Sequence, residues 1–336
     1  MNVADGVLEI LRESRQAVSG EAIAQKLGVS RSGVWKAVEK LREDGYQIEA
    51  ATNRGYLLVS ESDVLSAENI RRRLNVQGLE IDLRAEVSST NTVLKELAEK
   101  GAPEGLVLIA ESQAKGKGRL GRSFFSPKGS GLYMSILLRP SMSAEESLAI
   151  TTAAAVAVAE AVTAVTGRQA MIKWVNDVYL EGRKICGILT EAAVDFESRR
   201  LDHAVLGIGV NILEPPEGFP PDIAETAGAL YKGPTAPEGV RTRLAAAILD
   251  RFFGFYRALP QRRYMQIYKD LSLLTGLEIV LRQGNDTWEG TVLGIDDEAR
   301  LMVRLASGEE KSFAAGEVAI VKSGLVKQLR EKQQDK

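Results

Sequence analysis

The chain has 336 residues, enough for two or three domains and at least one substantial core. Hydrophobic residues make up 45% and charged residues 26% of it, the composition of an ordinary globular protein. The formal net charge of −2 excludes a globally basic nucleic-acid binder, so any DNA contact must come from a local patch.

A single cysteine, Cys186, excludes an internal disulfide framework and Cys-based zinc sites within one chain, and it fits a reducing cytoplasm. The single histidine, His203, adjoins the apolar stretch 204–210 and reads as a structural or surface residue rather than a catalytic relay. No metal ligands are assigned to the protein. The N-terminus carries no basic segment followed by an apolar core, so a cytoplasmic protein without a signal peptide is expected. The apolar run 148–165 is rich in Ala and Thr and contains Glu160, which reads as a helix packed on a sheet and not as a membrane span.

Residues 1–60 read as one compact unit. Val7, Leu8, Ile10 and Leu11 have helical spacing within 3–12, a second helix is expected up to Leu27, and a third from about Ser30 to Asp44, where Gly45 supplies a stop. Two short strands, 46–49 and 56–59, flank the turn 52–55. Ile23, Ala24, Leu27, Gly28, Val29, Val34, Ala37, Val38 and Leu41 form the pattern of a helix pair: Ala24 is small at the crossing, Gly28 opens the turn, and the rest seal the pair. A winged helix-turn-helix follows, with a three-helix protein-interaction domain as the rival. Ser30 suits an N-cap, and Ser30, Arg31, Ser32, Lys36 and Lys40, with Arg54 at the wing tip, are the candidate DNA contacts. Eight basic and eight acidic residues in this unit give it no electrostatic excess. One copy should therefore hold DNA weakly, and a site with two half-sites is expected.

A polar linker, 61–67, leads into a central region, 67–270, that mixes strands and helices. Residues 91–100 read as a helix; 105–110, 131–138, 171–174, 178–180, 185–194 and 203–212 read as strands; 241–259 reads as a helix with an aromatic stripe. Residues 214–221 contain four prolines and must be a loop. From 271 to 326 the rhythm changes to short alternating runs, 278–281, 287–295, 301–305 and 310–314, broken by Gly284, Asp296-Asp297 and Ser307-Gly308, which suggests a small β-barrel. A frayed polar tail is expected from 327 onward.

Lys115-Gly-Lys-Gly-Arg-Leu-Gly-Arg122 holds four basic residues and three glycines. Glycines let backbone N–H groups approach a ligand, and the bases add charge where an anion would sit. The segment is neither a Walker A loop nor a dinucleotide fingerprint. Taken alone it is an anion-binding loop or a flexible, solvated basic loop. Lys173-Trp-Val-Asn-Asp177, Arg183-Lys184, and glycines at 187, 207 and 209 in strand-like runs strengthen the first reading, because strand glycines imply close backbone approach; tight packing of a buried strand on a helix is the alternative for each.

Taken together these residues resemble the biotin–protein ligases. The family's Gly-Arg-Gly-Arg-x-Gly-Arg loop is met as Gly116-Lys-Gly-Arg-Leu-Gly-Arg122, its Lys-Trp-Pro-Asn-Asp motif as Lys173–Asp177, and Ser89-Thr90-Asn91, Glu111-Ser112-Gln113 and Gly207–Asn211 also match. The resemblance spans essentially the whole chain and looks like the bifunctional bacterial type, both ligase and biotin operon repressor. It implies an α+β protein: a winged helix-turn-helix over 1–60, a mixed-sheet catalytic domain like class II synthetases over 67–270, and an SH3-like barrel over 271–326. It implies ATP and biotin as substrates, Mg²⁺ with the nucleotide, a biotin carboxyl carrier protein offering a lysine, operator DNA, a homodimer when adenylate is bound, and no membrane.

By the same resemblance, Ser89, Thr90, Asn91, Gln113, Gly116, Lys117, Gly118, Arg119, Lys184, Gly187 and Gly207 bind biotin. Lys117, Arg119, Arg122, Lys173, Asn176, Asp177 and Asn211 serve the nucleotide, and Lys184, Arg119 and Arg122 carry the chemistry. Ser89-Thr90 can also be read as helix caps, and Lys184 as a solvated turn residue. Two positions depart from the family: Lys117 keeps the charge of Arg but loses bidentate geometry, and Val175 restores a backbone donor where Pro is usual. Neither removes a catalytic group. Two rivals remain, a non-catalytic regulator that senses a small molecule and a lipoate ligase, which lacks a helix-turn-helix head and uses a different loop.

Overall fold

The structure, a computed structural model, describes residues 3–14, 16–43, 46–51, 55–60, 65–195, 197, 199–233 and 235–321. Arg54, the turn 52–54, Gly45, linker residues 61–64 and the tail beyond 321 lie outside the described residues. The chain divides into two compact units, Met1–Ser66 with Ala236–Thr242, and Ala67–Thr235 with Arg243–Lys336.

The first unit holds α1 (Val3–Ser14), α2 (Gly20–Leu27), α3 (Arg31–Glu43) and the antiparallel pair β1 (Gln47–Ala51) and β2 (Gly55–Ser60). Its core is the expected set: Val7, Leu8, Leu11, Ile23, Ala24, Val34, Ala37, Val38 and Leu41 are buried together. Ser19 caps α2 by accepting from Ala22 N–H, and Ser30 Oγ accepts from Gly33 N–H at 3.1 Å at the start of α3. Gly28 closes α2 in the left-handed region, at φ 66°. This turns the chain from α2 into α3 within three residues.

The second unit is built on a seven-stranded mixed sheet in the order β3-β4-β5-β9-β8-β7-β6. Its strands are β3 (Glu80–Val87), β4 (Leu106–Gln113), β5 (Gly131–Leu138), β6 (Met171–Lys173), β7 (Asp177–Leu180), β8 (Arg183–Val194) and β9 (Leu201–Asn211). Only β3 and β4 run parallel among the neighbours in this sheet, joined by the crossover helix α5 (Thr90–Glu99). The basic loop connects the antiparallel strands β4 and β5. It is therefore a hairpin connection and not the turn of a dinucleotide-binding βαβ unit.

Leu94 and Ala98 of α5 pack on Leu106, Leu108, Leu137 and Val205. The opposite sheet face meets α6 (Leu148–Thr166), where Thr151 and Thr190 hydroxyls lie 2.7 Å apart. α6 is long and apolar enough to cross a membrane, yet residues 149–159 are all buried within the fold, which is how a core helix between a sheet and other helices reads. Further on come α7 (Val240–Tyr256) and α8 (Met265–Asp270). His203 is buried with its Nδ1 2.7 Å from Asp202 Oδ2, the structural role expected of it.

A second, five-stranded antiparallel sheet has the order β13-β12-β11-β10-β14. Its strands are β10 (Glu278–Gln283), β11 (Asp286–Ile295), β12 (Leu301–Leu305), β13 (Glu310–Phe313) and β14 (Glu317–Ile320). Ile279, Leu281, Val292, Leu301, Val303 and Phe313 form its buried side. It is tied to the central sheet by a cluster of Met171, Leu273 and Leu277 against Ile320, and by Trp174 Nε1 donating to Ala299 O at 2.8 Å.

A Cβ on Gly28 would meet nothing within 4 Å. Gly28→Ala therefore probes the backbone alone. It is expected to cost about 1–2 kcal/mol, the penalty of a left-handed L-residue, read as faster native-state amide exchange across α2 and α3.

Candidate active site

The site grows from one sheet face. Residues alternate across a strand, so Gly207 and Gly209 of β9 and Gly187 and Leu189 of β8 point to the same side. A Cβ on Gly207 would collide with Asn91 Oδ1, and one on Gly209 with the Phe124 ring; at Gly187 it would press on Phe124 and Lys184. The strand glycines thus leave a hollow into which the α5 N-terminus and the loop after Arg122 are set. This is the close approach that the sequence implied.

A hydrogen-bonded cluster fills that hollow. Gln113 Oε1 accepts from Thr90 N–H at 2.8 Å and from the Thr90 hydroxyl at 3.1 Å, and Gln113 Nε2 donates to Ser126 Oγ at 2.9 Å. The Ser135 hydroxyl donates to Asn91 Oδ1 at 2.6 Å and lies 2.7 Å from Thr90 Oγ1. Asn91 Nδ2 donates to Glu191 Oε2 at 2.9 Å and to Leu189 O at 3.3 Å. These partners fix the amide orientations of both Gln113 and Asn91. Ser89 occupies the N-cap position of α5 and is buried, yet its side chain makes no capping hydrogen bond. Capping is therefore not what places it there.

Ser126, Ser135 and Glu191 belong to this cluster and were missed from sequence. Ser135 had a readable signal: it is the one polar residue in the otherwise apolar run Leu132–Leu138.

The charged end lies at the β6–β7 hairpin. Tyr268 Oη donates to Val175 O at 3.0 Å, and Asn176 Nδ2 donates to Ile188 O at 2.9 Å, which seats the hairpin tip on β8. Lys184 lies on β8, where its Nζ is 2.7 Å from Asp177 Oδ1. This is an ion-pair distance, although Asp177 Oδ1 has no donor in hydrogen-bond alignment. Lys184 is thus a strand residue facing a carboxylate and not a solvated turn residue. Burial holds the Lys173 ammonium below its ordinary pKa; Asp177 opposes the shift, while Lys184 and Arg122 reinforce it.

The basic loop is an ordered hook. Phe124 N–H donates to Gly116 O at 2.9 Å and Gly118 N–H donates to Arg122 O at 2.7 Å, around a short turn, Arg119–Gly121. Gly116 is pressed against Phe124 O and Ser126 Oγ. Arg119 reaches inward: its Nη1 donates to Asn176 Oδ1 at 2.8 Å. Arg122 points the other way and pairs with Glu317 of β14 at 2.7 Å, with its side chain 72% exposed. Lys117 is exposed. Between the hook, the start of α6 and residues 188–191 of β8 lies an open cavity of about 670 Å³. Asn211 is turned to a structural task, with Nδ2 donating to Gly228 O at 2.9 Å. So the structure brings Thr90, Asn91, Gln113, Gly116, Gly187 and Gly207 together, and joins Arg119 to Asn176 and Lys184 to Asp177. Arg122, Lys117 and Asn211 stand apart from these contacts.

This arrangement sets a hydrogen-bonded polar cluster beside clustered cations and a glycine-rich hook, the class of site that can meet an anionic ligand. The chain matches the Biotin/lipoate A/B protein ligase family over residues 83–211, an HTH domain over 5–57 and the Biotin protein ligase C terminal domain over 276–321. It is 35% identical over 303 residues to the Bifunctional ligase/repressor BirA of Bacillus spizizenii, covering 89% of this chain and 92% of that one. It is 32% identical to the Biotin--[acetyl-CoA-carboxylase] ligase of Mycobacterium tuberculosis, over 71% of this chain and 88% of the relative. Among solved structures, the biotin protein ligase from Aquifex aeolicus in complex with biotin and ATP superposes with a TM-score of 0.59 at 27% identity, over 73% of this chain and 99% of that one. The chain belongs to the biotin protein ligase family, in the form that carries an N-terminal helix-turn-helix domain.

Because Gly207 has no room for a side chain, Gly207→Ala is expected to displace Asn91 and uncouple it from Ser135 and Glu191. A lowered melting temperature together with a weakened calorimetric biotin affinity would register the loss; Gly101→Ala, at a helix end with open space around it, serves as the comparison and should leave biotin affinity unchanged.

Proposed function

We propose that this chain activates biotin with ATP to biotinyl-5′-AMP, transfers biotin to a lysine of a biotin carboxyl carrier protein, and represses transcription through its helix-turn-helix head. The observation that carries the ligase reading is the pairing of a fixed hydrogen-bonding hollow, Thr90–Gln113–Ser135–Asn91, with the Lys184–Asp177 pair and the Arg119–Asn176 bond. A polar ring head suits the edge of this cluster, and a carboxylate meeting a triphosphate suits the cations beside the open cavity under the hook.

In the first step a biotin carboxylate oxygen bonds to the α-phosphorus as the bond to the β-phosphate oxygen breaks, and pyrophosphate leaves. In the second, an unprotonated lysine amine bonds to the acyl carbon as the acyl–oxygen bond to AMP breaks, and the nitrogen sheds a proton. Negative charge builds on phosphoryl or carbonyl oxygens in both. Positioned cations and N–H groups serve that charge, and no protein nucleophile is needed. Lys184 neutralises the carboxylate and α-phosphate. Ser89, Thr90, Asn91 and Gln113, with Gly116, Gly118, Gly187 and Gly207, hold biotin. Lys117, Arg119 and Arg122 close over the adenylate and keep water from it, with Lys173, Asn176, Asp177 and Asn211 toward the nucleotide. The hook's contacts on Asn176 and Glu317 support this closure, since each can be exchanged for a phosphate oxygen. Mg²⁺, an oxygen-loving ion that spreads phosphate charge, would come with the nucleotide, with Asp177 the nearby carboxylate although its Oδ1 already faces Lys184.

The division into 1–60, 67–270 and 271–326 is supported by the separate sheets, and the antiparallel order of the last sheet suits an SH3-like barrel, as the mixed central sheet suits a class II synthetase plan. The head, with α3 exposing Arg31, Ser32, Lys36 and Lys40, takes operator DNA with two half-sites, and a homodimer formed with adenylate bound supplies the second head. A cytoplasmic location goes with these partners.

Incubation with labelled biotin, ATP and a cell lysate tests the whole: a single labelled acceptor is expected together with biotin-dependent ATP–pyrophosphate exchange, while absence of that exchange would favour a non-catalytic sensor. Arg119→Gly should let the adenylate escape and label lysines indiscriminately, and unchanged retention in a release assay would remove that role from Arg119. Lys184→Ala should slow biotin-dependent pyrophosphate release by about 10²-fold, the size of a lost charge-stabilising donor; a wild-type rate would remove Lys184 from the chemistry.

A further inference from the structure

The outer face of α3 carries more than charge. Val34, Ala37, Val38 and Leu41 turn into the core of the head, which leaves Arg31, Ser32, Trp35, Lys36 and Lys40 on the exposed side. Trp35 is 54% exposed, although Trp is the largest apolar side chain a protein can bury. Among the described residues its indole N–H makes no hydrogen bond and no ring packs against it. It takes part in neither the core nor a cap.

The surroundings of Trp35 identify what it would meet. Arg31 and Ser32 lie one helical turn before it and Glu39 one turn after it, while Lys36 and Lys40 lie to one side of this stripe; Arg31, Lys36 and Lys40 are exposed. Glu39, the acidic residue in the middle of the helix, is drawn aside by Arg42 at 2.6 Å. Glu21 reaches Arg31 only at 3.9 Å and both are exposed, so solvent screens the pair and a phosphate can replace it. A protein-docking face would set an exposed Trp in an apolar patch; here its exposed or half-buried neighbours on the face are Arg31, Ser32 and Glu39, the last held by Arg42. A helix with a flat apolar ring between cations fits the major groove of duplex DNA, whose floor offers one apolar group, the thymine methyl.

We propose that Trp35 reads thymine: its indole lies against a thymine C5-methyl in the major groove while Arg31, Lys36 and Lys40 neutralise the flanking phosphates. This rests on the DNA-binding reading of the head and adds a sequence-specifying contact to it.

The test begins with the full chain, biotin and ATP, and a random-sequence duplex library. The selected sites are expected to hold a thymine in each half-site whose replacement by deoxyuridine weakens wild-type binding about 4-fold, the weight of one buried methyl group. Trp35→Ala should weaken binding of the thymine duplex by about 10-fold or more, as one lost base contact does, and should not distinguish thymine from deoxyuridine. Its melting temperature and the salt dependence of its binding should match wild type, because Trp35 neutralises no phosphate, whereas Lys36→Ala should reduce the salt slope by about one. Trp35→Phe should retain part of the methyl preference. Wild-type affinity in Trp35→Ala, or the same methyl effect in both proteins, would overturn the role of Trp35 while leaving DNA binding intact. Altered sedimentation mass without methyl coupling would assign Trp35 to a protein contact and likewise overturn it. Failure of the wild-type chain to select any sequence would overturn the DNA-binding reading itself.

Discussion

The catalytic unit depends on a stretch of sheet with no side chains. Gly187, Gly207 and Gly209 sit on adjacent strands in register, Gly187 opposite Gly209 and Gly207 opposite Leu189. The backbone there is ordinary extended strand, so the glycines are not present for their torsion angles. They are present for volume: Asn91 and Phe124 occupy the space that their side chains would fill. A strand glycine packs nothing and weakens the strand. The burial of Ala204, Leu206, Ile208 and Val210 on the opposite face offsets that weakness. One face of the sheet therefore supplies stability and the other a hollow. The hollow is polar because what enters it is the N-terminus of α5, with Thr90 and Asn91, and the end of β4, with Gln113.

The cations around this hollow are held in check by polar partners rather than left free. Lys184 faces Asp177, Arg119 holds Asn176, and Arg122 holds Glu317. These contacts differ in how readily they yield. The Arg122–Glu317 pair is exposed, where ion pairs contribute about 0–1 kcal/mol, so exchanging Glu317 for an anion costs little. The Lys184–Asp177 pair is more enclosed, and Lys173 behind it is already disfavoured as an ammonium by burial and by its cationic neighbours. Burial is the main cause of that shift, and Asp177 already offsets part of the repulsion between Lys173 and its cationic neighbours. Arg119 and Arg122 are carried on a loop whose base is tied to residues 87 and 88 and whose turn is held by the Gly118–Arg122 and Gly116–Phe124 bonds.

Much of this was legible in the sequence because it was written in composition. The head could be read because its apolar positions obey one helical period and Gly28 breaks it at the turn. The hook could be read from its glycines and bases, and the strand glycines from their setting in apolar runs. The sequence did not reveal β3, an edge strand whose burial scarcely alternates, or α4 (Ala67–Arg73), which is too short to show a period. It did not reveal β14 either, four residues that pair with β10 across the whole small sheet. The missed site residues act through contacts distant in sequence: local pattern marks Ser135 only as a polar break in an apolar strand, and carries no information about Ser126 and Glu191. Arg122 shows the converse, since a motif gives a residue's membership but not where its side chain rests.

The head poses a different problem of magnitude. Phosphate contacts supply most non-specific affinity for DNA, and a domain with as many acidic as basic residues has little of it to spend. Two remedies are physically available. One is local segregation of charge, which α3 achieves by turning Glu39 onto Arg42 and keeping Arg31, Lys36 and Lys40 outward. The other is multiplicity: two weak heads joined through a dimer act at each other's effective concentration, and their joint affinity exceeds either one by orders of magnitude. A near-neutral head makes binding depend on the second remedy. A strongly basic head would remain on DNA as a monomer whatever the ligase was doing. In the proposed dimer a balanced head lets DNA occupancy follow dimerisation, so the weak charge of residues 1–60 suits regulation of that kind.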